Sequence, residues 1–307
     1  MVVPNATPGA SRAHRDARKP IAIWLFVCCA LVFAMVVVGG VTRLTHSGLS
    51  IVEWQPIVGT LPPLSPQEWQ ETFAKYQQTP EYREVNARMT LGEFKGIFWL
   101  EYFHRLLGRL IGAAFFIPLV YFAAARTLDR SLLYKLTAIL LLGGLQGGMG
   151  WFMVQSGLIA EPRVSQYRLT AHLAIAFAIY ATMLWIALDL VAAPAPSASD
   201  SRITSLWRHA WALIGVIALA VLSGGFVAGI RAGFAYNTFP LMNGHWVPPE
   251  VFMLDPWYEN FFNNMATVQF DHRLLALIVA VLGVALWLKS QSAALSRRTV
   301  MLSHWLL

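Results

Sequence analysis

Three histidines of this 307-residue chain, His104, His172 and His272, sit in or at the edge of long apolar runs. An ionisable side chain inside a membrane span is costly, and on that ground alone it is a candidate for function. His104 and His172 lie near the loop-side ends of two runs of opposite direction, so their imidazoles fall at similar depth. Two neutral imidazoles at equal depth on an antiparallel helix pair can face each other across a flat ligand. That is an axial arrangement for a haem iron held within a bundle. The plainer reading of any one histidine is an interhelical hydrogen bond. For a single histidine the plainer reading wins; three at repeat-related depths favour ligation.

Neighbouring residues fit the same chemistry. Arg105 and Arg273 directly follow two of the histidines, and Arg109 lies one turn further along. A haem brings two propionates, and a guanidinium pairs well with a carboxylate; the competing reading is interfacial snorkelling. Glu101 is three residues before His104 and so shares its helix face. Desolvation at an apolar edge would raise the pKa of such a carboxyl group and let it move protons. Alternatively, Glu101 pairs with Arg105 at i,i+4. The run Gly143-Gly144-Leu145-Gln146-Gly147-Gly148-Met149-Gly150 strips side chains from one stretch of helix, which permits close helix packing or room for a planar ligand. Adjacent Cys28 and Cys29 cannot form a spaced metal site and read as packing residues.

These residues need elements to hold them, and composition says which. Hydrophobic residues make up 57% of the chain and charged residues 13%, about half the charged share of a soluble domain. Apolar runs at about Ile21–Val41, Phe98–Ala125, Leu132–Val154, Tyr167–Ala192, Trp207–Ile230 and Thr267–Lys289 approach or exceed the roughly 20 helical residues that cross a bilayer. The predicted class is therefore all-α, a polytopic membrane protein. Strands of a barrel would alternate every second residue, and these runs do not. The net charge of +7 is split into short clusters between runs rather than one stripe, which argues against nucleic acid. Those clusters fall in residues 1–19, 126–135, 202–208 and 289–298, all on one side if six spans alternate. The positive-inside rule makes that side, with the N-terminus, cytoplasmic. Residues 1–19 read as a disordered tail, 20–192 as an N-terminal four-helix half, 193–206 as a linker and 207–307 as an incomplete C-terminal half. Ser65-Pro66-Gln67-Glu68 in the first long loop reads as a helix start. A seventh run begins at about Val300 and ends at Leu307, too short to cross, so the chain is expected to be cut short there.

The two halves rhyme. His104-Arg105-Leu106-Leu107 returns as His272-Arg273-Leu274-Leu275, and Gly39-Gly40 returns as Gly224-Gly225, each pair late in a span that precedes a long loop. Internal duplication accounts for both the repeat and its place in the topology. By that logic His272 should have a partner histidine beyond residue 307, since His304 lies too early in the seventh run.

With those residues in view, the chain resembles the haem A synthase family. The resemblance is carried by Gly39-Gly40-Val41-Thr42-Arg43-Leu44-Thr45 with Ser47-Gly48-Leu49-Ser50, and by Glu53-Trp54-Gln55-Pro56 with Gly59-Thr60-Leu61-Pro62-Pro63. Glu93-Phe94-Lys95, Glu101-Tyr102-Phe103-His104-Arg105-Leu106, Gly147-Gly148-Met149-Gly150-Trp151, Asn237-Thr238-Phe239-Pro240-Leu241-Met242 and Gln269-Phe270-Asp271-His272-Arg273 complete it. It covers about residues 20–307. No cysteine occurs between Thr42 and Gly96, which resembles the mitochondrial-like branch.

The resemblance implies eight spans in two pseudo-repeated four-helix halves. It also implies an oxidoreductase that hydroxylates the C8 methyl of haem O twice and loses water to leave the formyl group of haem A. Carried over, His104 and His172 ligate the iron of haem O, with Glu101 as the carboxylate beside the substrate. His272 ligates the iron of a haem b cofactor, with Arg105 and Arg273 as haem-binding residues. Membrane lipid, haem O synthase as a partner, a multi-pass place in the cell inner membrane and room for a homo-oligomer come with the family. Two other classes share the histidines. A b-type cytochrome would pass electrons without altering haem and has no need of Glu101, and a haem transporter would bind haem only transiently.

Overall fold

The computed structural model describes residues 8–55, 58–159, 162–192, 201–292 and 304. Among them there is no strand, only an isolated bridge between Met242 and His245. Helices α1 (Pro8–Leu44), α2 (Pro66–Gln77), α3 (Pro80–Glu84), α4 (Leu91–Ala124), α5 (Arg130–Ile159) and α6 (Gln166–Val191) are followed by α7 (Ser201–Ile230), α8 (Ala232–Ala235), α9 (Asn260–Asn263) and α10 (Met265–Ser292). Of these, α1, α4, α5, α6, α7 and α10 contain segments long and apolar enough to cross a membrane. The protein is all-α and polytopic, as its composition predicted. Most of the linker at 193–206 and nearly all of the seventh run at 300–307 lie outside the described residues.

Local chemistry sets several helix starts. Ser65 accepts from the Glu68 amide while the Glu68 side chain reaches back to the Ser65 amide, a closed capping box with Pro66 at the first helical position. Thr90 and Glu93 form a second box, which starts α4 at Leu91, seven residues before the apolar run at Phe98. Asn264 Oδ1 accepts from the amides of Ala266 and Thr267 at the head of α10. The expectation for residues 1–19 needs correction over its second part. α1 starts at Pro8 and runs through Pro20, because a helix already nucleated in the span needs no new nucleus to extend; residues 1–7 lie outside the described residues.

By contact the chain falls into two compact units, one of Met1–Arg168 with Ile175–Ala193, the other of Leu169–Ala174 with Pro194–Leu307. The core of the first unit joins Ile21, Leu25, Cys28 and Cys29 of α1 to Phe115 and Leu119 of α4, Leu136 of α5 and Met183 and Ala187 of α6. Both cysteines are thus packing residues. This core sits at the end of the unit that carries the basic connection at 126–135. A polar device lies inside it. Pro118 has no amide proton, so the carbonyl four residues back, that of Ala114, has no helical donor. Trp24 Nε1 donates to it at 2.8 Å, with the Cys28 thiol further off at 3.8 Å. In an apolar interior that carbonyl would otherwise stay unpaired. We expect Trp24→Phe to lower stability in detergent by about 1–3 kcal/mol, read as a fall in Tm. Adding Pro118→Ala, which restores the helical donor, should cancel most of the hydrogen-bond part of that loss.

In the second unit α10 packs along α7. The long connection between them is tied by Asn260, fully buried, which exchanges hydrogen bonds with both the amide and the carbonyl of Leu254 and donates to Trp257 O. His209 of α7 meets Leu282 O and the Lys289 ammonium of α10, and Trp287 Nε1 donates to His304 Nδ1 at 3.0 Å.

Candidate functional site

The first candidate group is built on one stretch of α4. Glu101 is 2% exposed, and each of its oxygens meets two donors. Oε2 accepts from Ser50 Oγ at 2.7 Å and the Ile51 amide at 2.8 Å. Oε1 accepts from Arg105 Nε at 3.0 Å and Nη2 at 2.7 Å. The i,i+4 pair weighed from sequence therefore forms, and the carboxylate also holds the loop that leaves α1. Arg105 continues that clamp by donating to Ile51 O at 2.9 Å and Glu53 O at 3.2 Å. Arg109 donates to Gln55 O at 2.9 Å, and the Tyr102 hydroxyl to Thr60 O at 2.6 Å. One face of α4 thus fixes the path of the first long loop through charge-assisted and neutral bonds to its carbonyls.

His104 follows on the same helix and packs on α1 at a glycine. A methyl group built on Gly39 would lie 3.2 Å from His104 Nε2. The second unit repeats the arrangement. A methyl on Gly224 of α7 would lie 3.1 Å from His272 Cε1, and Arg273 donates to Tyr236 O at 2.7 Å and Leu241 O at 3.3 Å in the loop that follows α7. Glycine opposite histidine, and arginine to loop carbonyl, recur in both units at the positions of the sequence repeat. Both arginines, expected at haem propionates, spend donors on backbone carbonyls, a role that residue type alone did not reveal. Tyr236 donates its hydroxyl to Glu250 Oε2 at 3.2 Å. Burial first, and the Glu250 charge second, push its phenol above the ordinary range, so it remains a donor at neutral pH.

Two of the differences between the halves lie in side chains that hydrogen-bond at this site. Where the first has Glu101, the second has Gln269, a neutral amide reaching Tyr236 O at 3.5 Å. Where the first has Val38 before its glycines, the second has Ser223, whose hydroxyl lies 2.8 Å from His272 Nδ1. Ser223 was not singled out from sequence, although its mismatch within the repeat marks it. His172 lies in Leu169–Ala174, which groups by contact with the second unit. A methyl on Gly225 would come within 2.7 Å of Thr170 Oγ1 and 3.1 Å of Thr170 Cα, so α6 presses on α7 two residues before His172. Along α5, methyl groups on Gly143, Gly144, Gly147 and Gly148 would meet nothing within 4 Å, which removes close helix packing as their explanation among the described residues.

Among the described residues no three His, Cys, Asp or Glu side chains gather to hold a bare metal ion. A lone imidazole can serve only a metal that brings its other ligands, as a haem iron does. The family model described as cytochrome oxidase assembly protein matches residues 22–307. The protein named heme A synthase from Nitrosospira multiformis is 65% identical over 91% of this chain and 78% of its own length. The chain belongs to the haem A synthase family. Family members of the same name from Nitrosomonas eutropha and Paramagnetospirillum magneticum are 56% and 49% identical, over 99% and 92% of this chain and 86% and 79% of their own lengths. No solved structure matches the chain.

Proposed function

We propose that this protein is a haem A synthase that oxidises the C8 methyl group of haem O to a formyl group. Two successive hydroxylations and a loss of water take the carbon from methyl to aldehyde. The observation that carries the reading is the buried Glu101, held by four donors one helical turn before His104, with an amide at the repeat-related position. A protein that only passed electrons would need no such difference between its halves.

In this reading His104 and His172 are the iron ligands of haem O, taken from the family motif, and His272 is a ligand of a haem b cofactor. The residues present fit the cofactor: His272 packs against Gly224 and Ser223 engages its Nδ1, which would leave Nε2 to hold the haem. Haem b, when bound, supplies one-electron transfer. Glu101 offers a carboxylate in one fixed position, and a proton arriving at Oε2 has Ser50 Oγ, which can donate or accept, as its next stop. Arg105 and Arg273 act as anchors of the loops beside the histidines. The basic clusters support a cytoplasmic N-terminus in the cell inner membrane. Haem O synthase as the supplier of substrate, contact with membrane lipid, and a homo-oligomer complete the proposal.

Co-expression with a haem O synthase, followed by reversed-phase chromatography and mass spectrometry of the extracted haems, is the direct test. Haem A should accumulate. Membranes that hold this protein with haem b and haem O but no haem A would replace the synthase by the cytochrome reading.

A further inference from the structure

Ser223 Oγ sits between two polar atoms, 2.9 Å from Ala220 O and 2.8 Å from His272 Nδ1. A serine hydroxyl has one proton and can accept as well. The Ala220 carbonyl has no proton to give, so the serine proton points there. With the serine proton so placed, the bond to the imidazole runs from Nδ1–H to Oγ. That choice places the ring proton on Nδ1 and leaves the lone pair on Nε2. Gly224, the next residue, fixes the ring from the side, because its missing side chain lets Cε1 approach to where a methyl would be only 3.1 Å away. Serine and glycine together set both the tautomer and the orientation of one imidazole.

The first half lacks this device. Val38 occupies the position of Ser223 in the repeat, and His104 turns its Nε2 edge, rather than Cε1, towards Gly39. A resident cofactor calls for a ligand that is always ready, whereas a substrate haem must arrive and leave. We propose that Ser223 is a positioning residue that locks His272 in the Nδ1–H tautomer, making it a permanent iron ligand through Nε2 and distinguishing the cofactor half from the substrate half. The proposal rests on the reading of His272 as a ligand of haem b. A hydrogen bond from Nδ1–H also raises the basicity of the coordinating nitrogen, which favours ferric over ferrous iron.

The test uses the whole chain expressed without a haem O synthase, so that haem b is the haem available. Haem content, the rate of haem loss to apomyoglobin and the midpoint potential are compared for wild type, Ser223→Ala, Ser223→Thr and His272→Ala. Ser223→Ala should lose haem about 10–100 times faster with a potential moved upward, and Ser223→Thr, which keeps the hydroxyl, should restore both. If Ser223→Ala does not accumulate, Ser223→Cys, a weaker acceptor of similar size, should show the same upward shift in smaller measure. Wild-type loss rate and potential in Ser223→Ala, or in Ser223→Cys where it replaces Ala, would overturn the proposal while His272→Ala still lost its haem. Full haem retention with an unchanged spectrum in His272→Ala would instead overturn the underlying assignment of His272.

Discussion

With haem O supplied, Glu101→Gln is expected to lower haem A formation by about a hundredfold or more, the scale on which a lost proton-transfer group acts. Glutamine nearly matches glutamate in shape, so the loop path should survive. Its amide cannot accept on both sides, however. Whichever way it is turned, the NH2 group faces either Arg105 or the Ser50 and Ile51 donors that now meet the carboxylate. Glu101→Ala should go further. It leaves the Arg105 side chain, 14% exposed, without its anionic partner. Breaking a buried pair from one side costs about 3–5 kcal/mol, so this variant should lose both product and thermal stability. Chromatography of extracted haems reads the chemistry, and Tm in detergent reads the fold. A Glu101→Gln protein with wild-type haem A output would reduce Glu101 to an anchor for the loop.

The second large effect lies at Gly225. An alanine methyl there would stand 2.7 Å from Thr170 Oγ1 and 3.1 Å from Thr170 Cα. The hydroxyl can rotate; the Cα atom moves only with α6. Overpacking of this kind costs about 1–3 kcal/mol, and Gly225→Leu should cost more. Two controls isolate the cause. At Gly157 the methyl would meet only the Leu49 side-chain tip at 2.8 Å, which can swing aside. At Gly215 it would meet nothing within 4 Å, so alanine should gain about 0.8–1.0 kcal/mol of helix propensity. The expected order of Tm is Gly215→Ala above Gly157→Ala above Gly225→Ala. Equal Tm for all three would mean that α6 and α7 are not in close contact at Thr170.

The spans, the Ser65 capping box and the duplicated histidines were legible in the chain because their causes are local; the Thr90–Glu93 box has the same local cause and was missed. A run of apolar residues partitions into lipid by its own composition, and Ser65 or Thr90 caps a helix with a partner three residues away. The histidine repeat could be read because the same four residues follow the same kind of loop in each half. The start of α1 was missed because a polar segment joined to a long helix inherits its nucleus.

The sequence by itself determined an all-α membrane protein with histidines at repeat-related positions and a carboxylate three residues before only one of the duplicated His-Arg pairs. Those features follow from hydropathy, residue type and spacing. Only the tertiary structure decided what the polar groups do. It gave Arg105 and Arg273 to loop carbonyls more than thirty residues away in sequence, paired Trp24 with the carbonyl that Pro118 leaves open, and set Ser223 against His272 across 49 positions. A buried donor takes whichever acceptor the fold brings within about 3 Å. That choice depends on how whole helices pack, and no local stretch of sequence encodes it.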